Sequence, residues 1–132
     1  MMKEVLDFLT TNKVFYLATT GGDQPHVRPM GFVMEYDGKL TFCTSNQKDM
    51  YKQLTANPHV EICCLDSNYN TLRLCGKAVF CTTAETQRKA LEAMPALGKM
   101  YAVGDGKFEI FCLVDAQAIC QTMSGDKKTL TV

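Results

Sequence analysis

The amino-acid sequence predicts a small α+β protein, mainly β, built on a closed or nearly closed antiparallel barrel. Six or seven short apolar segments have strand-like alternation, hairpin-length turns separate most of them, and three other segments have helical periodicity. A barrel would also remove the exposed edges that so many short strands leave. An open sheet with helices on one face is the alternative, and the pattern alone does not exclude it.

The first half of the chain is predicted to contain two helices and four strands. The elements are a helix over residues 2–9, strands over 14–18, 26–36 and 40–43, a helix that starts at Ser45 or Asn46 and ends before Pro58, and a strand over 60–65. Asp37-Gly38 is the clearest hairpin signal, because a type I′ turn needs positive φ at both central residues.

The second half is predicted to contain three strands and one helix. The strands lie over 71–81, 108–114 and 118–122, and Gly76 marks a bulge in the first of them. The helix starts with a capping box from Thr82 to Glu85 and ends near Met94, before Pro95. With no repeat or linker in the sequence, we expect a single domain over 1–132.

Composition excludes several classes of protein. The 132 residues carry 14 basic and 14 acidic side chains, with no basic stripe, so nucleic acid is not an expected partner. The apolar runs are too short to span a membrane, and Met1-Met2-Lys3-Glu4 does not open a signal peptide. We therefore expect a cytoplasmic protein with no membrane partner.

The seven cysteines are predicted to be buried thiols. Their number is odd and there is no CxxC spacing, so neither a disulfide framework nor a metal site is expected. Within strand-like segments a free thiol packs as a small hydrophobe, and seven of them fit a reducing compartment. The alternative is a redox or nucleophilic cysteine with His26 or His59 as its base.

Candidate binding residues cluster around the Asp37-Gly38 hairpin. Strand alternation places Arg28 on one face with Met30, while Pro29 and Gly31 leave backbone that a flat ring could approach. The next strand ends in Thr44 and Ser45, whose hydroxyls precede Lys48 in the first turn of a helix.

A cation at a helix N-terminus destabilises the helix by about 0.3–1 kcal/mol, because the helix dipole is positive there. A bound anion interacts favourably with both the dipole and the cation. Lys48 and Arg28, with the two hydroxyls and the helix N–H groups, therefore form a candidate phosphate site. Each cation alone has an ordinary alternative, a solvated lysine beside Asp49 and a strand-edge arginine in an ion pair.

The sequence resembles the flavin-binding split barrels related to pyridoxamine 5′-phosphate oxidase, over about residues 14–119. The motifs that carry the resemblance are Arg28-Pro29-Met30-Gly31-Phe32, the Asp-Gly hairpin, Thr44-Ser45 with Lys48, Asn57-Pro58-His59-Val60, and Leu72-Arg73-Leu74-Cys75-Gly76-Lys77-Ala78. The order and spacing of these motifs are more specific for the family than any single motif is.

The resemblance implies a six-stranded antiparallel Greek-key split β-barrel with two or three short helices, and a homodimer that holds FMN at the subunit interface. Arg28 and Lys48 would bind the FMN phosphate with Thr44 and Ser45. The backbone of residues 28–31 would lie along the isoalloxazine ring, near Cys43. The segment around Thr71 and Arg73 would approach the flavin from the partner subunit.

The function implied is that of an FMN-dependent oxidoreductase acting on a small flat substrate, with a nicotinamide as a possible electron donor. The segment 124–132 lacks the Arg-x-His element of authentic pyridoxamine phosphate oxidases, so the resemblance is to short, nitroimidazole-reductase-like members. No catalytic residue is predicted; His26 could move a proton near neutral pH, or be structural. A non-catalytic flavin-binding, storage or redox-sensing protein is the alternative, and haem or deazaflavin on the same fold is a third.

Overall fold

The computed structural model describes residues 2–132. Met1 lies outside the described residues. It belongs to the segment Met1-Met2-Lys3-Glu4, which was not expected to open a signal peptide. The helices are α1 (Met2–Asn12), α2 (Asp49–Ala56) and α3 (Ala84–Ala93), followed by a 3₁₀ helix over Pro95–Lys99. The strands are β1 (Phe15–Gly21), β2 (Gln24–Met30), β3 (Met34–Tyr36), β4 (Lys39–Ser45), β5 (His59–Leu65), β6 (Thr71–Phe80), β7 (Phe108–Gln121) and β8 (Lys127–Thr131).

The strands form one antiparallel sheet that curls into a split barrel. Its order is β2-β1-β5-β6-β7-β4-β3, and β8 pairs with β7 beside this path. The two end strands, β2 and β3, are joined by only residues 31–33, which span at most about 14 Å. The sheet must therefore roll up until its ends approach each other. The predicted α+β barrel is confirmed, with eight strands rather than six, and the open sheet is not what forms.

The barrel interior is packed with aromatic and aliphatic side chains. Phe42 stacks on Phe111 with ring centroids 5.5 Å apart and meets Phe15 edge to face at 5.8 Å. The buried Val5 and Leu9 of α1 and Met50 and Leu54 of α2 belong to the same cluster. Both helices thus use one apolar face to cover the barrel.

A second apolar cluster lies between the sheet and the segment that follows β6. It joins Phe32 and Met34 to Ala90 of α3 and Leu97 of the 3₁₀ helix. Tyr101 stacks flat on Phe108, with ring centroids 4.5 Å apart. This cluster fixes residues 95–101 beside the gap between β2 and β3.

Two sequence predictions about turns and bulges are confirmed. Asp37 and Gly38 have φ of 51° and 73° between the paired strands β3 and β4. The β6–β7 register shifts between Cys75 and Lys77, and a Cβ on Gly76 would lie 3.1 Å from the carbonyl oxygen of Val114. Glycine is needed there because the two backbones approach closely.

The predicted strand over 26–36 is wrong in its middle. The chain leaves the sheet at residues 31–33, so β2 and β3 are separate strands. The face shared by Arg28 and Met30 does not continue: Met30 packs against the barrel core, whereas Phe32 and Met34 belong to the second cluster.

Two of the three predicted helix starts are also wrong, those of α2 and α3. Ser45 ends β4 and the N-cap of α2 is Lys48, because Asn46 is held by the carbonyl oxygen of Gly106 instead. The capping box of α3 is Thr83 with Thr86, one residue later than predicted. Thr82 accepts a hydrogen bond from the backbone N–H of Ile110 at 2.9 Å, and this tertiary contact removes it from the helix.

The C-terminal strands differ from the prediction in two ways. Residues 108–114 and 118–122 were expected as separate strands, but β7 is continuous over Phe108–Gln121. β8 was not predicted, and it pairs with the second half of β7. None of the helices within residues 2–132 is long and apolar enough to span a membrane.

Candidate functional site

Two adjoining clefts lie between β2, β4, α2 and the 3₁₀ segment. We call the first the polar cleft; it measures about 340 Å³. It is lined by Arg28, Pro29, Met30, Cys43, Thr44, Lys48, Asp49 and Met50. The second, the apolar cleft, measures about 270 Å³. It is lined by Pro29, Met30, Gly31, Phe32, Cys43, Lys48, Met94, Leu97, Met100 and Tyr101. Four residues line both, so the two clefts form one elongated site.

β2 supplies one wall of this site because it is an end strand of the sheet. Its partner is β1, so its other edge has no strand beside it. Pro29 has no backbone N–H, so it leaves no unpaired donor in this strand. Gly31 has no side chain, so it does not obstruct the approach of a ligand to the backbone. The backbone of residues 29–31 therefore has no strand covering it on the side of the clefts.

Arg28 points to the inner side of the sheet and is held by three acceptors. Its Nη1 donates to the carbonyl oxygen of Leu17 at 3.2 Å and to Thr19 Oγ1 at 2.9 Å. Its Nη2 donates to Gln53 Oε1 at 2.8 Å. Burial lowers the pKa of Arg28 from its ordinary value, while the Asp49 carboxylate acts in the opposite direction. The guanidinium is thus fixed in position, and it stays charged at neutral pH.

Thr44 contributes a hydroxyl that has no internal partner. The residue is 3% exposed, and its Oγ1 is the one buried side-chain nitrogen or oxygen without a hydrogen bond among residues 2–132. An unpartnered buried hydroxyl costs about 1–3 kcal/mol. Such a group next to a cleft indicates that a polar ligand completes its hydrogen bonding.

The N-terminus of α2 adds positive potential to the polar cleft. Its N-cap, Lys48, is exposed and provides no side-chain cap, so the first-turn N–H groups lack a side-chain acceptor. Within the described part of the chain, the Lys48 ammonium makes no ion pair with a carboxylate. Asp49 is the one acid that lines the cleft, against two cations. The balance favours an anion.

Ser45 does not join the site. It is buried at the end of β4, and its Oγ accepts a hydrogen bond from the backbone N–H of Gln47 at 3.2 Å. Because this hydroxyl stabilises the turn before α2 and lines neither cleft, its predicted role in phosphate binding has no support from the geometry.

Cys43 lies where the two clefts meet. Burial raises the pKa of its thiol to about 12, and the nearby Lys48 acts in the opposite direction. The thiol therefore stays protonated at neutral pH and is not poised as a nucleophile. Burial likewise raises the pKa of Tyr101, with smaller contributions from Cys43 and Asp105.

Thr71 and Arg73 are on the outer face of the sheet, away from both clefts. Arg73 forms an exposed ion pair with Glu61 on the neighbouring strand. Thr71 lies two residues before it, so both side chains project outward. Within one chain the structure does not bring them to the site.

His26 also lies outside the clefts. It is on β2 with Arg28, but its imidazole packs beside Gly21, where an added Cβ would lie 3.0 Å from Nε2. It lines neither cleft.

Sequence reasoning missed residues on both sides of the site. Gln53 follows Met50 by three residues and precedes Leu54, so a polar side chain on the inner face of α2 was the available signal. The apolar residues of the 3₁₀ segment were missed because the predicted helix was ended before Pro95 and the segment after it was assigned to no element.

Comparisons with known proteins agree with the fold. The family model described as pyridoxamine 5′-phosphate oxidase matches residues 1–113. A comparison with curated proteins gives no match. A NimC/NimA family protein from Clostridium acetobutylicum is 40% identical, with a TM-score of 0.95 over 99% of this chain and 92% of that one.

Two more distant structures share the fold. A pyridoxamine 5′-phosphate oxidase-related, FMN binding protein from Nostoc punctiforme is 12% identical, with a TM-score of 0.62 over 98% of this chain and 95% of that one. A heme binding protein from Mycobacterium smegmatis is 19% identical, with a TM-score of 0.76 over 98% of this chain and 57% of that one.

Proposed function

The chain belongs to the pyridoxamine 5′-phosphate oxidase family, and on that premise we propose that it is an FMN-binding protein of oxidoreductase type. The observation that carries the proposal is Thr44. This residue, whose Oγ1 is unpartnered, lines a cleft with Arg28, Lys48 and the uncapped N-terminus of α2. These are the donors that a phosphate dianion requires.

The apolar cleft fits the flat part of the same ligand. It continues from the polar cleft past the backbone of residues 29–31, with Met94, Leu97 and Tyr101 opposite. FMN, when bound, supplies the electron-transfer chemistry. The chain supplies an apolar surface for the ring, fixed charges for the phosphate and exclusion of water.

The outer face of the sheet supports a homodimer. Tyr16, Cys63, Arg73 and Ile119 are paired in register across β1, β5, β6 and β7 and form one exposed row. Tyr16 is 51% and Ile119 43% exposed. The row combines exposed apolar side chains with Arg73, and Tyr and Arg are among the residues enriched in protein interfaces.

A second copy on this face would bring the outer residues of one subunit toward the cleft wall of the other. Pro29 is next to Tyr16 in the β1–β2 register, so the row adjoins the strand that lines both clefts. This is how Thr71 and Arg73 would reach a flavin that they do not approach within their own chain.

The absorption and mass spectrum of the ligand that co-purifies tests the cofactor. We expect flavin bands and the mass of FMN. A Soret band without a flavin spectrum would overturn the assignment in favour of haem, and a deazaflavin mass would do so in favour of that cofactor.

Anaerobic reduction then separates an enzyme from a flavin store. We expect a nicotinamide to bleach the flavin band rapidly, and a small flat acceptor to restore it with turnover. A bound FMN that no donor reduces in catalytic time would leave a storage or sensing protein.

A further inference from the structure

The hydrogen bonds of Arg28 leave one edge of its guanidinium unoccupied. The group has five N–H donors. Nη1 uses two of them on Leu17 and Thr19, and Nη2 uses one on Gln53. Two donors remain, one on Nε and one on Nη2, and no acceptor from residues 2–132 meets them.

The geometry identifies which edge is occupied. Thr19 Oγ1 donates to Gln53 Oε1 at 2.5 Å, so the two oxygens lie side by side. They therefore meet the parallel N–H groups at the end of the planar fork, on Nη1 and Nη2. The remaining Nε and Nη2 donors are parallel along the side of the fork, the arrangement that binds two oxygens of one phosphate or carboxylate.

The contact with Arg28 determines which way the side-chain amide of Gln53 is oriented. Guanidinium groups only donate, so the atom that meets Nη2 must be the amide oxygen. The same oxygen accepts from Thr19, which is 2% exposed. Arg28, Thr19 and Gln53 thus form a closed triangle between β1, β2 and α2, in which Thr19 is buried and the other two side chains are half-buried.

We propose that Gln53 and Thr19 are positioning residues for Arg28, which they hold by its end so that the side edge binds the flavin phosphate. The consequence is specificity: the protein discriminates FMN from riboflavin, and the discrimination depends on a glutamine that does not contact the ligand. This inference rests on the proposed function, because it takes the phosphate of FMN as the anion.

The test is the ratio of FMN to riboflavin affinity, measured by flavin fluorescence quenching on the full chain. For the wild type we expect FMN to bind at least about a hundredfold more tightly, since several charge-assisted hydrogen bonds are involved. Gln53→Leu keeps the bulk and removes the acceptor, and it should lower the ratio about tenfold with little change in riboflavin affinity. Thr55→Ala, an exposed change on the same helix, is the control and should leave the ratio unchanged.

A double-mutant cycle separates positioning from a general structural effect. If Gln53 acts through Arg28, Gln53→Leu should have no further effect on the ratio in an Arg28→Leu background. Equal effects of Gln53→Leu in both backgrounds would overturn the inference. Thr19→Val, which preserves the β-branched shape, should lower the ratio about threefold and serves if Gln53→Leu does not fold.

The failures are distinguishable. A wild type that binds neither flavin overturns the proposed function and the inference together. A wild type that binds both equally keeps the proposed function and overturns the inference. A selective wild type whose ratio survives both Gln53→Leu and Thr19→Val overturns the inference alone.

Discussion

Thr41 and Thr44 lie on the same strand and are both at least 97% buried, yet their hydroxyls differ in one respect. Thr41 Oγ1 donates to the carbonyl oxygen of Lys39 at 3.1 Å, whereas Thr44 Oγ1 has no partner among residues 2–132. Of the two residues, Thr44 is the one that lines the polar cleft. The protein therefore carries an energetic cost at this position that a ligand would offset.

Thr44→Val is expected to separate stability from binding. The substitution removes an unpartnered hydroxyl and keeps the β-branched shape, so the free energy of unfolding should rise by about 1 kcal/mol. FMN affinity should fall about tenfold. Urea unfolding of the FMN-free protein and FMN titration measure the two quantities.

Thr41→Val is the matched control, because it removes a satisfied hydroxyl from the same strand. It should lower the free energy of unfolding and leave FMN affinity unchanged. A Thr44→Val protein that loses stability and keeps full FMN affinity would refute the role of this hydroxyl.

Lys48→Gln is expected to weaken FMN binding about tenfold and to make it less sensitive to salt. The ammonium is next to the N-terminus of α2, where it opposes the helix dipole, so its loss should not lower the stability of the FMN-free protein. FMN titrations at several salt concentrations measure the slope. Lys52→Gln, an exposed change on the same helix, should keep the wild-type slope; equal slopes in all three proteins would contradict the role of Lys48.

Cys43 is expected to make the protein less stable in alkali. Its folded-state pKa of about 12 lies above the ordinary 9.0 of an unfolded chain. Below pH 9 both states keep the proton and the contribution to stability is complete; it is lost as the pH rises from about 9 through 12. Between pH 8 and 10 this loss amounts to about 1 kcal/mol.

Cys43→Ala removes that contribution, so its free energy of unfolding should change less between pH 8 and 10 than that of the wild type. Urea unfolding at the two pH values measures the difference. Cys81, whose pKa burial also raises, is present in both proteins and cancels in the comparison. An identical pH dependence in both proteins would rule out a buried, protonated Cys43.

Ile119→Glu is expected to dissociate the dimer and to weaken FMN binding at the same time. The side chain is at one end of the exposed row on the outer face, where each subunit would bring a buried charge into the interface. Sedimentation equilibrium measures the association. Val103→Glu is the control, because Val103 is in a loop outside the sheet and is 44% exposed, against 43% for Ile119. The Val103→Glu protein should stay dimeric. A monomeric wild type that binds FMN tightly would exclude an interface site.

The parts of the fold that the sequence predicted are those with strong local signals. Asp37-Gly38 determines its turn by backbone conformation alone, and Gly76 marks its bulge because no Cβ fits there. β8 was missed because the buried Leu130 is its one apolar residue. A single apolar residue gives no alternating pattern from which a strand could be predicted. Thr82 and Thr83 are equally good caps by sequence, and a contact with Ile110 decides between them.

The site residues that the sequence could indicate are likewise those with a local signal. Arg28, Thr44 and Lys48 could be selected because each is a chemical type that binds anions next to a hairpin with a clear register. Gln53 could not be paired with Arg28, because the contact between β2 and α2 depends on how the barrel closes. Ser45 was selected for its hydroxyl, whose oxygen accepts a local hydrogen bond from the backbone N–H of Gln47.

The way the barrel closes also bears on when the site comes into existence during folding. Pairings such as β1 with β5 and β4 with β7 join segments far apart in sequence, and chains dominated by such pairings fold in about milliseconds to seconds. The clefts take residues from Arg28 to Tyr101, so no early hairpin contains them. A ribosome must release most of the chain before either cleft can form, so a ligand of this site would be captured only late, after translation.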